Sequence, residues 1–200
     1  MKKTLFILII LLTGCIKYPD LDNISIIKNI GISYQDNHYT LYAKVYDEIK
    51  KNNKPTTKII KTDGKTIEDA FKNIKLLSNK EVYFSHIDLL VLDTNLNNDN
   101  YQEIINYSLT NNLRNDFKCI FSTNIITLFN NSEDDEIENY LNTNKVTKKI
   151  INTSFDEIIS NYLNNKTFVL SMITYNKEVK YQGNYQYYNN HVERITNEKN

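Results

Sequence analysis

Cys15 is the residue best placed for covalent chemistry, because its thiol closes a segment with the pattern of a lipoprotein export signal. The chain begins Met-Lys-Lys, has an apolar run over residues 5–12, and reaches Cys15 through Thr13-Gly14. That run is shorter than the roughly 20 residues of a membrane-spanning helix, so it predicts a cleaved signal and not an anchor. We therefore expect the Cys15 thiol to be diacylglycerated and the bond before it to be cut. The alternative is an ordinary cleaved signal with a cysteine there by chance.

The lipid on Cys15 is the one prosthetic group that the sequence predicts, and no other cofactor is expected. It comprises a diacylglyceryl group on the thiol and, where the new amino terminus is also modified, an N-acyl chain such as palmitate. Each buried methylene contributes about 0.8 kcal/mol and a single chain binds a membrane only marginally, whereas two chains hold firmly. The predicted location is therefore the extracytoplasmic face of a membrane, with residues 1–14 removed as the signal peptide.

Ser85, His86 and Asp88 have the residue types of a catalytic triad, but their predicted placement opposes that chemistry. The nearly continuous apolar pattern over residues 83–92 predicts a buried strand. Positions 86 and 88 then point to one side and position 85 to the other, which takes the serine hydroxyl away from the histidine. We interpret His86 as a hydrogen-bonded residue at the end of a buried strand. The sequence predicts no catalytic residues and no enzyme.

Metal and nucleotide sites are also not expected. His38, His86 and His191 are far apart in the sequence and no pair of cysteines accompanies them, so the spacing of zinc ligands is missing. Gly31 and Gly64 are isolated, whereas a phosphate-binding loop needs several glycines close together. A turn before a helix explains Gly64 better.

Composition limits the class of protein. Lys and Arg together number 24, as do Asp and Glu, so no net charge draws the chain to nucleic acid. The hydrophobic fraction is 40%, which is enough for a folded core in one compact domain or two small ones. With Cys15 lipidated, Cys119 has no partner within the chain, so the core must hold the fold without a disulfide.

The hydrophobic pattern predicts an α+β fold in which helices pack on a mixed β-sheet. An N-terminal β-hairpin comes first, a β-α-β-α-β unit follows, and a C-terminal β extension ends the chain. Thr66 and Ser154 begin capping motifs for two of the helices. Predicted strands cover residues 24–33, 38–47, 57–62, 83–92, 117–122, 168–175 and 179–188. Predicted helices follow Thr66 and cover residues 101–109, 125–129, 136–141 and 154–163.

Two interpretations of the tyrosines stay open. They form a partner-binding surface in the first, since tyrosine gives a large contact area at low entropic cost. In the second they fill the faces of the sheet. Three lie in the second strand of the hairpin and four near the C-terminus: Tyr39, Tyr42, Tyr46, Tyr181, Tyr185, Tyr187 and Tyr188.

Two motifs carry a resemblance to a known family. The chain has Gly64-Lys65-Thr66 at a helix start and then Val-Tyr-Phe-Ser-His over residues 82–86. In this order and at this separation they resemble the Ger(x)C family, the lipoprotein C subunits of GerA-type spore germinant receptors. The resemblance covers residues 24–130 and the export signal. The residues that it identifies as structural or partner-contact positions are Gly64, Thr66, His86 and Arg114, the last at the second arginine of the family's Arg-Asp-x-x-x-Arg pattern.

The resemblance implies a role in germination. Members of the family lie on the outer face of the spore inner membrane and act with two polytopic membrane subunits in response to small nutrients. They are not known as enzymes, and whether the C subunit itself contacts the small-molecule germinant is open. The alternative function is that of an envelope binding lipoprotein with the same fold in a process other than germination.

The export signal, the composition and the resemblance together divide the chain into four predicted parts. They are the signal peptide over residues 1–14, the lipidated Cys15 and tether over 15–23, a Ger(x)C N-terminal-like α+β domain over 24–165, and a short β extension with a polar tail over 166–200. Members of the family usually have further domains after the first one. The chain therefore resembles a family member reduced to its N-terminal domain.

Overall fold

The computed structural model describes residues 24–51, 54–133 and 135–195 of the chain. The predicted signal, Cys15 and the tether lie outside the described residues. The strands are β1 Ile24–Gln35, β2 His38–Lys51, β3 Lys54–Gly64, β4 Glu81–Tyr83, β5 Leu89–Asp93, β6 Lys118–Ser122, β7 Thr153–Ser154, β8 Phe168–Tyr175, β9 Val179–Tyr188 and β10 His191–Arg194. The helices are α1 Ile67–Leu77, α2 Asn98–Thr110, α3 Ile125–Asn131, α4 Glu136–Thr143 and α5 Phe155–Leu163.

One mixed sheet contains all the strands of the described chain. Its order is β10-β9-β8-β6-β5-β1-β2-β3, with β4 paired to the start of β1 and β7 paired to the start of β6. The central strands β1, β5, β6 and β8 run parallel to one another. Antiparallel strand pairs extend the sheet from this centre to both of its edges. The predicted α+β fold with a mixed sheet is confirmed, and the short strands β7 and β10 are elements that the sequence pattern missed.

Helices cover both faces of the sheet and divide the core in two. On one face α1, α2 and α5 bury Phe71, Tyr101 and Phe155 against the strands. On the other face α3 and α4 pack through Leu128 and Leu141. The central strands β5 and β6 are consequently buried on both faces, as their continuous apolar sequences predict.

The prediction of a single strand over residues 83–92 is wrong, because the structure has two separate strands in this region. Strand β4 ends at Tyr83 and β5 begins at Leu89, with a turn and irregular backbone between them. Phe84 directs its ring to α1, where the ring centroid lies 5.3 Å from that of Phe71 in an edge-to-face contact. The apolar run therefore reflects both strand pairing and a tertiary contact, and a pattern in the sequence does not separate the two.

Asparagine supplies much of the left-handed backbone in this chain. The whole chain has only four glycines, yet eight non-glycine residues in the described part have a positive φ. Asn and Asp tolerate this conformation best because their short polar side chains bond locally to the backbone. Asp36 (φ 53°) and Asn37 (φ 62°) form the two-residue turn between β1 and β2, whose twist suits a hairpin. The positive-φ asparagines are Asn37, Asn112, Asn165, Asn189 and Asn190.

Gly64 lets the end of β3 lie against the first turn of α1. A Cβ atom at this position would lie 2.3 Å from the backbone N of Ala70 and 2.8 Å from the carbonyl O of Thr66. Both obstacles are backbone atoms, so neither can rotate away. In the same junction the Thr62 hydroxyl donates to the carbonyl O of Ala70 at 2.9 Å. The glycine therefore sets how closely β3 and α1 pack.

Gly64→Ala is expected to lower the free energy of unfolding by about 1–3 kcal/mol, since the added methyl group forces β3 and α1 apart. Lys65→Ala is the matched control because Lys65 is exposed, and substitutions at such positions change stability by less than about 0.5 kcal/mol. Urea unfolding followed by circular dichroism measures both variants. Equal stability of the two would contradict the tight contact between β3 and α1.

Candidate functional site

Thr66 fixes where α1 begins. Its hydroxyl oxygen accepts a hydrogen bond from the backbone N–H of Asp69 at 3.1 Å, and its carbonyl O accepts from the N–H of Ala70 at 3.1 Å. The side-chain bond satisfies one of the N–H groups that have no partner within the helix. The predicted cap is confirmed. Together with Gly64, Thr66 makes the Gly-x-Thr motif a helix start.

Glu103 on α2 completes this junction, although the sequence analysis did not single it out. Its Oε1 accepts from the backbone N–H of Ile67 at 2.8 Å, and its Oε2 accepts from the hydroxyl of Tyr39 at 2.8 Å. The Asn100 side-chain amide donates to the same tyrosine oxygen at 3.1 Å. A carboxylate at a helix N-terminus is favoured by the helix dipole. The sequence offers one signal for this junction, which is the pair of polar residues Asn100 and Glu103, three apart on α2. In the structure Asn100 is only 4% exposed.

Burial shifts the titration of several tyrosines in the core. It is the main cause that raises the pKa of Tyr39 and of Tyr101 well above the ordinary value. Burial also raises the pKa of Tyr107 to about 12, with a smaller contribution from the charge of Glu68. It raises the pKa of Tyr187 to about 12 as well. These hydroxyls stay protonated at neutral pH, so the tyrosines serve as neutral packing groups.

His86 lies in the exposed turn between β4 and β5, so the prediction of a histidine at the end of a buried strand is wrong. No residue in the described part of the chain forms a hydrogen bond with its ring. Asp88 is held separately, because its backbone N–H donates to the carbonyl O of Lys28 at 2.8 Å. The interruption between β4 and β5 accounts for the difference, since the two side chains do not share one face of a strand.

Arg114 lies in the loop between α2 and β6, where it forms an ion pair with Asp116. Its Nη2 donates to Oδ2 of Asp116 at 2.7 Å, and its Nε donates to Oδ1. The hydrogen bond from the guanidinium lowers the pKa of the Asp116 carboxyl. Both side chains are more than half exposed, so the pair contributes little to stability. Arg114 is consequently accessible to a partner.

The tyrosines lie on strands near the two opposite edges of the sheet, so they do not form one surface. Tyr39, Tyr42 and Tyr46 lie on β2, next to the edge strand β3, whereas the other four lie on β9, next to β10. Tyr39 is 1% and Tyr187 is 7% exposed, which makes both of them core residues. Tyr188 is the exposed member of the set within the described residues. Most of these tyrosine side chains therefore fill the faces of the sheet.

Tyr188 lines a polar cleft of about 420 Å³ where the start of α2, the end of α5 and the β9–β10 turn meet. The Tyr162 hydroxyl donates to the carbonyl O of Asn98 at 3.0 Å. Asn190 Oδ1 accepts from the backbone N–H of Asn98 at 3.1 Å and from the Tyr187 hydroxyl at 3.2 Å. Aromatic rings and amide groups together suit a peptide segment. We call this surface the tyrosine–asparagine cleft.

Other functional groups were also located in the structure. Among the described residues, no three His, Cys, Asp or Glu side chains come together as metal ligands. Cys119 is fully buried, and burial raises the pKa of its thiol, so it is a core residue. None of the helices in the described part of the chain has the length and apolar composition needed to cross a membrane.

Family comparison gives this architecture its context. A family model described as the spore germination protein N-terminal domain matches residues 17–175. The chain belongs to the Ger(x)C family. No curated protein and no solved structure matches the chain significantly.

The Ger(x)C match takes in β1 to β8 and the helices on both faces of the sheet. It continues past residue 165, where the sequence analysis ends the domain, and so includes β8. This strand pairs with β6 through Phe121 and Met172 in the same sheet. The division between the domain and a β extension stays a prediction.

The free energy of unfolding is expected to begin to fall near pH 9, where the Cys119 thiol of the unfolded chain ionises while the buried thiol stays protonated, and to fall more steeply above pH 10. The pKa values of the buried tyrosines are raised, so the unfolded chain releases these protons first, and the stability present below pH 10 is lost as the pH rises. Each such tyrosine lowers the free energy of unfolding by about 1.4 kcal/mol one pH unit above 10. Urea unfolding at a series of pH values measures this.

Tyr187 and Tyr188 supply the control for this alkaline profile. Tyr187 is buried and its pKa is raised to about 12, whereas Tyr188 is 48% exposed. Tyr187→Phe should make the loss of stability above pH 10 shallower, and Tyr188→Phe should leave it unchanged. A profile that is flat to pH 11 in the unmodified protein would contradict the burial of the tyrosine hydroxyls.

Proposed function

We propose that this Ger(x)C protein is a membrane-anchored lipoprotein component of a spore germination receptor. The match of the germination family model to residues 17–175 carries the proposal. It starts two residues after Cys15, so the predicted lipid attachment site stands directly before the matched domain. The lipid holds the protein on the outer face of the spore inner membrane, and the domain stands on the extracytoplasmic side.

The domain acts through protein contacts and not through catalysis. The roles of the motif residues support this view, because Gly64 and Thr66 shape the start of α1 and need no substrate. Arg114 sits in an exposed ion pair, as a residue at a contact surface would. The polytopic membrane subunits of the receptor are the partners that the family implies.

The tyrosine–asparagine cleft is the surface that we assign to a segment of such a partner. Its volume of about 420 Å³ is within the range of well-formed binding pockets. Tyr188 offers an exposed ring, and the amide of Asn190 is already oriented by its bonds to Asn98 and Tyr187. Pre-oriented groups lower the entropic cost of binding, so a loop of a polytopic subunit is the occupant that we assign.

Cys15→Ala is expected to release the protein from membranes, because it removes the thiol that carries the acyl chains. Sedimentation of membranes after a salt wash measures the release, and labelled fatty acid should enter the unmodified protein only. Cys119 does not confuse the labelling, since its thiol is fully buried. Absence of labelled fatty acid from the unmodified protein would contradict the lipid anchor.

Germination itself tests the receptor role. Spores that lack this protein should respond more slowly to at least one nutrient, and the unmodified gene should restore the response while the Cys15→Ala gene should not. The Lys65→Ala gene is the control, since Lys65 is an exposed residue at which we assign no contact. Normal germination of the deleted strain with every nutrient would favour a different envelope process.

A further inference from the structure

The end of the sheet at which β1 begins, here called the β1 end, carries exposed leucines. Leu76 and Leu77 are the last residues of α1 and are 71% and 62% exposed. The hydroxyl of Ser78, which follows them, lies 3.4 Å from that of Ser25, the second residue of β1. Strand β4 then pairs with residues 24–26. Helix α1 therefore ends beside the start of β1 and presents both leucines to solvent there.

Two further apolar side chains lie at the β1 end. Leu109 is 49% exposed near the end of α2, which follows β5 at the far end of the sheet and returns to the β1 end, since β5 runs parallel to β1. Val146 is 88% exposed and follows α4, whose Asn142 accepts from Nζ of Lys118, the first residue of β6, at 2.7 Å. Four of the seven large apolar side chains exposed in the described part thus lie at one end.

Basic residues accompany these apolar side chains. Lys75 is exposed in the last turn of α1. The β2–β3 hairpin reaches the same end, because Tyr46 of β2 pairs with Ile26 of β1 and β2 continues beyond that pair. The hairpin sequence has lysines at positions 50, 51 and 54. Leucines and lysines together are typical of surfaces that lie on anionic bilayers.

The length of chain before β1 keeps this end near the membrane. Nine residues, 15–23, join the predicted lipid on Cys15 to Ile24. Even a fully extended segment of that length spans at most about 30 Å. The opposite end is marked by Leu163, the last residue of α5, because the neighbouring Tyr162 bonds to Asn98 at the start of α2.

We propose that the β1 end lies on the bilayer, with Leu76 and Leu77 inserted at the boundary between lipid headgroups and acyl chains. This inference rests on the proposed lipid anchor and adds an orientation to it. Lys75 of α1 faces the anionic headgroups. In this orientation the tyrosine–asparagine cleft, which contains Asn98, faces away from the lipid and stays open to a partner.

Tryptophan fluorescence tests the orientation, because the chain has no tryptophan of its own. Leu77→Trp and Leu163→Trp form a matched pair, since both leucines are 62% exposed and each ends a helix. The full lipidated protein with either substitution is reconstituted in vesicles of phosphatidylethanolamine and phosphatidylglycerol with brominated acyl chains. We expect the Leu77→Trp protein to lose at least about half of its emission and the Leu163→Trp protein less than about a tenth.

Vesicle flotation of the same samples separates the anchor from the orientation. Protein that floats but is quenched equally at both positions, or at neither, overturns the orientation and leaves the anchor in place. Protein that does not float overturns the anchor and the orientation with it. The emission of the Leu77→Trp protein could also change only when receptor subunits are added, with no quenching by lipid. That result identifies a protein partner at the β1 end and overturns the proposal.

Discussion

The close contact between the end of β3 and the first turn of α1 is the constraint on which the rest of the structure depends. Gly64 permits it, because a Cβ atom there would lie 2.3 Å from a backbone nitrogen of α1. Glu103 then ties α2 to the same helix start through Ile67. With its start fixed, α1 runs back along the sheet, stacks Phe71 on Tyr107 of α2, and delivers β4 to the start of β1.

The sequence predicts the local features of this fold well. The cap at Thr66, the tight turn before β2 and the strands near the C-terminus depend on neighbouring residues, so composition and spacing are enough to find them. Features that depend on tertiary contacts are not predicted. The break between β4 and β5 follows from the packing of Phe84 on Phe71, and the separation of the tyrosines follows from the strand order.

The two ends of the domain have different chemistry, and the proposed function uses both. Exposed leucines and the exposed Lys75 lie where β1 begins, within reach of the predicted lipid. Tyrosine rings and amides form a cleft at the start of α2, at the far end of the sheet. Because one continuous sheet joins the ends, a contact with lipid at the first orients the second toward a partner. The partner that we propose is a membrane subunit of a germinant receptor, in keeping with the spore germination domain that the family model matches.

Crosslinking on dormant-spore inner membranes, followed by pull-down of this chain and identification of its neighbours, tests the receptor assignment most directly. The account predicts recovery of polytopic receptor subunits with the unmodified protein and much weaker recovery with the Cys15→Ala protein. Absence of the chain from spores, or recovery of unrelated envelope proteins, would contradict the assignment. It would mean that the Ger(x)C domain serves another envelope process here.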